Sequence, residues 1–341
     1  MTAADGSMHM PRHGVGGPPE TVREALRERS APLTEFGYRP VDAEFLAAAA
    51  LLGGYFVRRQ YLSYVGRRQG GADDRFLRAA KSGGHAAAVV GRSLFRLKGA
   101  SLYRSIRCEE GLARRAAGWA TVKKRLLALD YFLEARPEGT WLFSVSDKAE
   151  YFASIGIPED RFPVAVRRGK GAARAFANGF PVVAASGERP EVSFSFAHTG
   201  ATAAGLRRQL TLHEPLAAAL ASRGVGCEWV MLADSPGQFP RLRHAWRLWH
   251  DRTRRDWREL EFFALRQKVE QRNWSGLSRA CVERYAALLA ACSGKGADAR
   301  YRKWLEKGAP PRGPEEDFAS LSRYREVLLD HDYSIADRVI R

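Results

Sequence analysis

The chain has 341 residues, 45% of them hydrophobic and 27% charged, and its 55 Lys and Arg against 38 Asp and Glu give a formal net charge of +17. That hydrophobic content excludes general disorder, and the length exceeds what one core commonly organises, so two or three folded units are expected. The cation excess points to a polyanionic partner, and it is concentrated: residues 1–50 carry a net −2, residues 51–125 a net +13 and residues 126–341 a net +6.

Residues 1–38 read as a flexible arm rich in Gly, Pro and Ala, in which "PETVREALRERS" carries the signal of a short helix begun by Pro. The arm has no signal-peptide h-region. The longest nearly apolar run, "AEFLAAAALLGGYFV", is interrupted by Gly53-Gly54 and is shorter than the roughly 20 residues a membrane span needs. Cys108, Cys227, Cys281 and Cys292 form no CxxC or CxxH spacing. A reducing, cytoplasmic setting without membrane contact is therefore expected.

Residues 39–136 open with "DAEFLAAAALL", a helix with an acidic start and a Gly stop. "VRRQYLSYVG" places Val57, Tyr61, Leu62 and Val65 on one helical face, predicting a second short helix. After "RRQGGA", Asp73 or Asp74 is positioned to cap a third helix, "DDRFLRAAKS". Its Phe76, Leu77 and Ala80 point one way while Arg75, Arg78 and Lys81 recur every three residues on the other side. The period then changes: "HAAAVV", the turn "GRS" and "LFRLKGASLYRSI" read as short strands around a basic loop. A longer helix over 111–135 follows, with Leu126, Leu129, Phe132 and Leu133 as a packing stripe.

Residues 137–238 mix strand signals ("TWLFSV", "FPVAV", "FPVVAA", "EVSFSFA", "CEWVMLAD") with a helix "SDKAEYFASI" capped by Ser146 and a helix "GLRRQLTLHEPLAAALASRG", which predicts an α/β domain. Residues 239–341 read as a helical region with a linker and a last short helical tail. The fold class expected is thus α+β and multidomain: an N-terminal winged helix-turn-helix, a central mixed α/β domain and a helical C-terminal region.

Three short helices followed by a basic hairpin resembles the winged helix-turn-helix proteins, over residues 41 to about 133. More loosely, the winged helix, the "KKRLLALDYFLE" helix, "WLFSVSDKAEYF" and the strand-rich second domain resemble replication-relaxation-type proteins of plasmids and integrative elements. The resemblance implies double-stranded DNA as partner. In such a fold the first helix of the pair crosses the backbone and the second enters the major groove. Arg58, Arg59, Arg67 and Arg68 are then expected to position phosphates, Arg75, Arg78 and Lys81 to face the groove, and Arg92, Arg96 and Lys98 to sit on the wing. The resemblance further implies a regulator, or a replication or mobilisation accessory factor, of a mobile element, with the α/β domain serving a homodimer or another partner.

Some members of that class carry a nuclease-like second domain, which would need an acid on one strand and an acid-x-Lys on the next. No E-x-K occurs in "RPEVSFSFAHTG" or "CEWVMLAD". "RRGKGAARAF" lacks the first Gly and the hydroxyl of a phosphate-binding loop, and neither GxSxG nor HExxH is present. His244 and His250 lie six residues apart, on different helix faces. No catalytic residue, metal ligand or cofactor is assigned. Two rival readings stay open: a metal-dependent nuclease using Glu191, Glu214, Glu228 and Asp234, and a protein-interaction module. "RLRHAWRLWHDRTRRDWRELEFF" poses a further choice between helix packing and stacking of nucleic-acid bases on Trp246, Trp249 and Trp257.

Overall fold

The structure is a computed structural model, and it describes residues 20–67, 71–91, 93–108, 116–135, 139–165, 174–176, 181–198, 202–271, 278–294, 296–306 and 321–338. Helix α1 (Glu20–Ser30) packs on α2 (Pro40–Leu51) through Leu26, with Leu33 of the intervening 3-10 turn. Residues 20–38, placed in the arm by their composition, are thus anchored to the core by Leu26, Leu33 and Tyr38. Helix α2 is apolar on all sides and is buried from Asp42 to Leu51, as a helix without a polar face must be. Its two buried acids are satisfied locally. Asp42 takes both arms of Arg39 at 2.8 Å and the Tyr61 hydroxyl at 2.7 Å, while Glu44 takes the Tyr64 hydroxyl at 2.8 Å and Arg27 at 3.1 Å.

Strand β1 (Tyr55–Val57) leads directly into α3 (Arg58–Tyr64), and α4 (Ala72–Ser82) follows. Strands β2 (Ala86–Val90) and β3 (Leu94–Leu97) form a hairpin, and the antiparallel sheet order is β1-β3-β2. The helical reading of "VRRQYLSYVG" thus begins one residue early. Val57 ends the strand that pairs Tyr55 with Arg96 and Phe56 with Phe95. Between the helices and this sheet lies an aromatic core: Tyr61 stacks on Phe76 at 4.2 Å, Phe45 meets Phe56 and Tyr61 edge-on, and Phe56 stacks on Phe95 at 5.3 Å. The hairpin leaves through α5 (Ala100–Ser105), where strand had been expected to continue.

Helix α6 (Trp119–Glu134) is shared by both halves of the chain. Its buried residues belong to one continuous core with the N-terminal elements and with Val183, Ala197, Val230, Leu232 and Val327 of a five-stranded sheet. That sheet is made of β4 (Thr140–Leu142), β7 (Val182–Ala185), β8 (Glu191–Ala197), β9 (Gly226–Ala233) and β10 (Ser322–Leu328), in the spatial order β10-β9-β8-β7-β4. β8, β9 and β10 run parallel, and β7 is antiparallel to both β8 and β4. Between β4 and β7 lie α7 (Val145–Ser154) and a small antiparallel pair, β5 (Val164–Ala165) and β6 (Arg174–Ala175). The cap of α7 is Ser144 rather than Ser146: its hydroxyl accepts from the Asp147 amide at 3.0 Å, and the Asp147 carboxylate accepts from the Ser144 amide at 3.0 Å.

Alternation along β9 divides the sheet into two faces. Val230 and Leu232 meet α6, whereas Cys227, Trp229 and Met231 meet α8 (Ala203–Ala221) and the first half of α9 (Phe239–Glu270). The second half of α9 carries a small core with α10 (Arg279–Cys292) and α11 (Ala297–Glu306), built on Phe262, Phe263, Leu288 and Tyr301. The tail read as helical is instead β10, paired with β9 over seven residues from Ser322 to Leu328, followed by a 3-10 turn at Ser334–Arg338. No described helix is long and apolar enough to cross a membrane.

Candidate nucleic-acid interface

Helix α4 sorts its side chains by a 3.6-residue period: Phe76, Leu77 and Ala80 are buried, and Asp74, Arg75, Arg78, Lys81 and Ser82 face solvent. Its start is fixed by α3 rather than by a capping side chain, because Gly71 precedes the first turn and makes no such bond. Arg58 instead reaches across from α3, with Nε at 2.7 Å from Asp73 and a terminal nitrogen at 2.8 Å from Asp74. Asp73 and Asp74 therefore set the angle between the two helices and do not cap, and their negative charge at the helix N-terminus is favourable.

Arg59 is committed inside the protein as well. Its two terminal nitrogens donate to the two oxygens of Asp130 on α6, each at 2.6 Å, and Asp130 is fully buried. Burial alone would lower the Arg59 pKa, and the Asp130 carboxylate more than offsets it. The Tyr333 hydroxyl donates to the same carboxylate at 2.6 Å. Arg58 and Arg59, expected to position phosphates, are each paired with carboxylates of the chain itself and remain about a third exposed, at 33% and 35%.

The remaining cations are placed differently. Arg67 is exposed at the end of α3, while Arg68 and Arg92 lie outside the described residues. Arg75 is exposed on α4, and Arg78 bonds only its own helix, at 3.3 Å from the Asp74 carbonyl. The Lys81 ammonium sits 5.2 Å over the Phe95 ring, a cation–π contact that joins α4 to the hairpin. On the hairpin, Arg96 is half-buried on β3 and Lys98 is exposed just beyond it. Arg75, Arg78 and Lys81 therefore form the exposed cationic face that the three-residue recurrence predicts. Sequence reasoning passed over Arg104 and Arg107, exposed on and after α5, because the segment had been read as strand.

The carboxylates of the nuclease reading are all matched by cations. Glu191 pairs with Arg323 and Glu228 with Arg325, Glu214 meets Arg252 at 3.3 Å, and Asp234 pairs with Lys123. They are spread over both strand ends and α8, and do not converge. Among the described residues, Asp130, Glu134 and His331 bring ligand atoms within 4.8 Å of one another, but both Asp130 oxygens already hold the Arg59 fork. The "RRGKG" loop falls outside the described residues, apart from Arg174 onward in its continuation. The tryptophans of α9 are also occupied: Trp249 is 2% exposed, and Trp246 is packed between His250 at 4.6 Å and Tyr324 at 5.2 Å. Trp246 and Trp249 thus serve packing, while Arg241, Arg247, Arg252, Arg254 and Arg255 are exposed and Arg243 pairs with Glu326.

Compared with protein-family models, with curated proteins and with solved structures, the chain matches none.

Proposed function

We propose that this protein binds double-stranded DNA as a winged helix-turn-helix protein, with α4 entering the major groove and the β2–β3 hairpin as its wing. One observation carries the reading. The order helix, strand, helix, helix, strand, strand from α2 to β3, closed by the β1-β3-β2 sheet, presents on its second helix of the pair three exposed cations. Arg75, Arg78 and Lys81 are matched by no carboxylate among the described ion pairs, whereas the neighbouring Arg58 and Arg59 are. An arginine so placed can address guanine bidentately, or a phosphate. On the resemblance noted above, the role proposed is that of a regulator, or a replication or mobilisation accessory factor, of a mobile element.

The test is fluorescence anisotropy of the full chain on random duplex DNA across a salt series, with Arg75→Ala/Arg78→Ala/Lys81→Ala beside it. The full chain is needed because α6 shares its core with the large sheet. The triple variant is expected to bind about 100-fold more weakly, at roughly 1 kcal/mol or more per lost contact. Its thermal stability should fall only slightly, since all three side chains are exposed and the lost Lys81–Phe95 contact contributes about 0.5–1 kcal/mol. A variant that binds like the parent would overturn the assignment and favour a partner protein on this face.

A further inference from the structure

The second half of the molecule carries a cationic groove that the proposed α4 interface does not use. Helices α8 and α9 flank a shallow, open depression of about 550 Å³, lined by Ala204, Arg207, Arg208, Thr211, Leu212 and Arg252. Arg207 and Arg208 are exposed, and no described carboxylate pairs with either. Arg252 reaches in from α9, held loosely: 3.3 Å from Glu214, 3.4 Å from the Thr211 hydroxyl and 4.0 Å from Asp256. Exposed pairs at such distances contribute little, so the guanidinium is pre-oriented but not consumed. Adjacent arginines with no counter-charge repel one another, and an anion in the groove relieves that repulsion.

We propose that this groove is a second contact for nucleic acid, one that takes the phosphate backbone of the duplex and reads no base. Its partner rests on the duplex-binding reading, and its location rests on its own residues. Three features select this ligand. Guanidinium forks and a hydroxyl suit phosphate oxygens geometrically. The depression is shallow and open to solvent, as contact with a duplex backbone requires and an enclosed small-molecule site does not. The nearby tryptophans are packed inward, with Trp249 buried and Trp246 against His250 and Tyr324, so base stacking is not on offer. What remains is electrostatic contact, insensitive to sequence and steep in salt.

The experiment uses the full chain and the same random duplex, with Arg207→Ala/Arg208→Ala compared with the parent and with the α4 triple variant. Each duplex phosphate contact contributes about 0.9 to the slope of log affinity against log salt. Loss of two contacts makes the fall in affinity between roughly 50 and 200 mM salt about 12-fold smaller than the parent's. Arg207→Lys/Arg208→Lys should keep most of the slope. A double-alanine variant whose salt curve superimposes on the parent's overturns the groove, whatever α4 does. Loss in the groove variant with no effect of the α4 variant would leave the groove standing and remove the winged-helix reading. A parent that binds no duplex at all overturns both.

Discussion

Replacing Asp130 by Asn should unlock the contact between α3 of the N-terminal half and the segment around Tyr333. Asp130 is fully buried on α6 and accepts three bonds of 2.6 Å, two from Arg59 of α3 and one from Tyr333. Burial, reinforced by the Asp130 charge, pushes the Tyr333 phenol above its ordinary pKa, so the hydroxyl stays a donor. Removing one partner of a buried pair costs about 3–5 kcal/mol. The Arg59 side chain is 35% exposed and can recover some hydration, which places the expected loss at the lower end. About 3 kcal/mol corresponds to roughly a 100-fold shift toward the unfolded chain. Tyr333→Phe removes one bond to a charged acceptor and should cost about 1.5–3 kcal/mol. Urea unfolding of the parent, both single variants and the double variant closes a cycle. The expected cycle is strongly non-additive, because the two changes share one carboxylate. An Asp130→Asn variant within about 0.5 kcal/mol of the parent, the range of an ordinary surface change, would refute the reasoning.

Stability should fall on mild acidification. His213, wedged against Phe194, Phe196 and Trp229, and His198, at the end of β8, are both held down at a pKa of about 4, mainly by burial. Between their ordinary value near 6.5 and about 4 the unfolded chain takes up protons that the folded chain refuses, so stability is complete above that window and is lost as pH falls through it. The loss approaches about 3 kcal/mol per histidine, and His213→Gln should flatten the profile in urea melts from pH 7 to 4.5. A profile unchanged in that variant would exclude His213 as a cause. Gly53→Ala should cost about 1–3 kcal/mol in the same assay, for two reasons: φ is +135° there, and a Cβ would lie 2.5 Å from Cγ of Arg125 on α6. A neutral outcome would show that α6 can retreat from the β1 turn.

Local pattern was a good guide where the deciding forces are local. The 3.6-residue recurrence in α4 gives the buried Phe76, Leu77 and Ala80 and the exposed Arg75, Arg78 and Lys81, and the strand signals of "EVSFSFA" and the apolar run "CEWVMLAD" give β8 and β9. It failed where a distant partner decides. Strand β1 is three residues long, and Val57 is held extended by pairing with Leu94. "SRYREVL" becomes strand because β9 offers it an edge, about 90 residues upstream in the chain. The fate of Arg59 was equally invisible, since its carboxylate lies 71 residues away. Doublets such as Arg58-Arg59 look alike to a charge count, yet only their spatial partners separate an internal tie from a surface cation.

The placement of β10 has a consequence for how the protein comes off the ribosome. The edge strand β10, and Tyr333 just beyond it, are among the last described residues to be synthesised, while the carboxylate that Tyr333 grips also holds Arg59 of α3. A chain stopped short of residue 321 would make the largely buried, apolar β9 the sheet's edge in place of the half-exposed, charged β10, and apolar edges invite aggregation. It would also lack the third bond on Asp130. The segment 321–333 thus couples the large sheet to Arg59 through Asp130, and a variant truncated before residue 321 should aggregate or be proteolysed faster than the full chain.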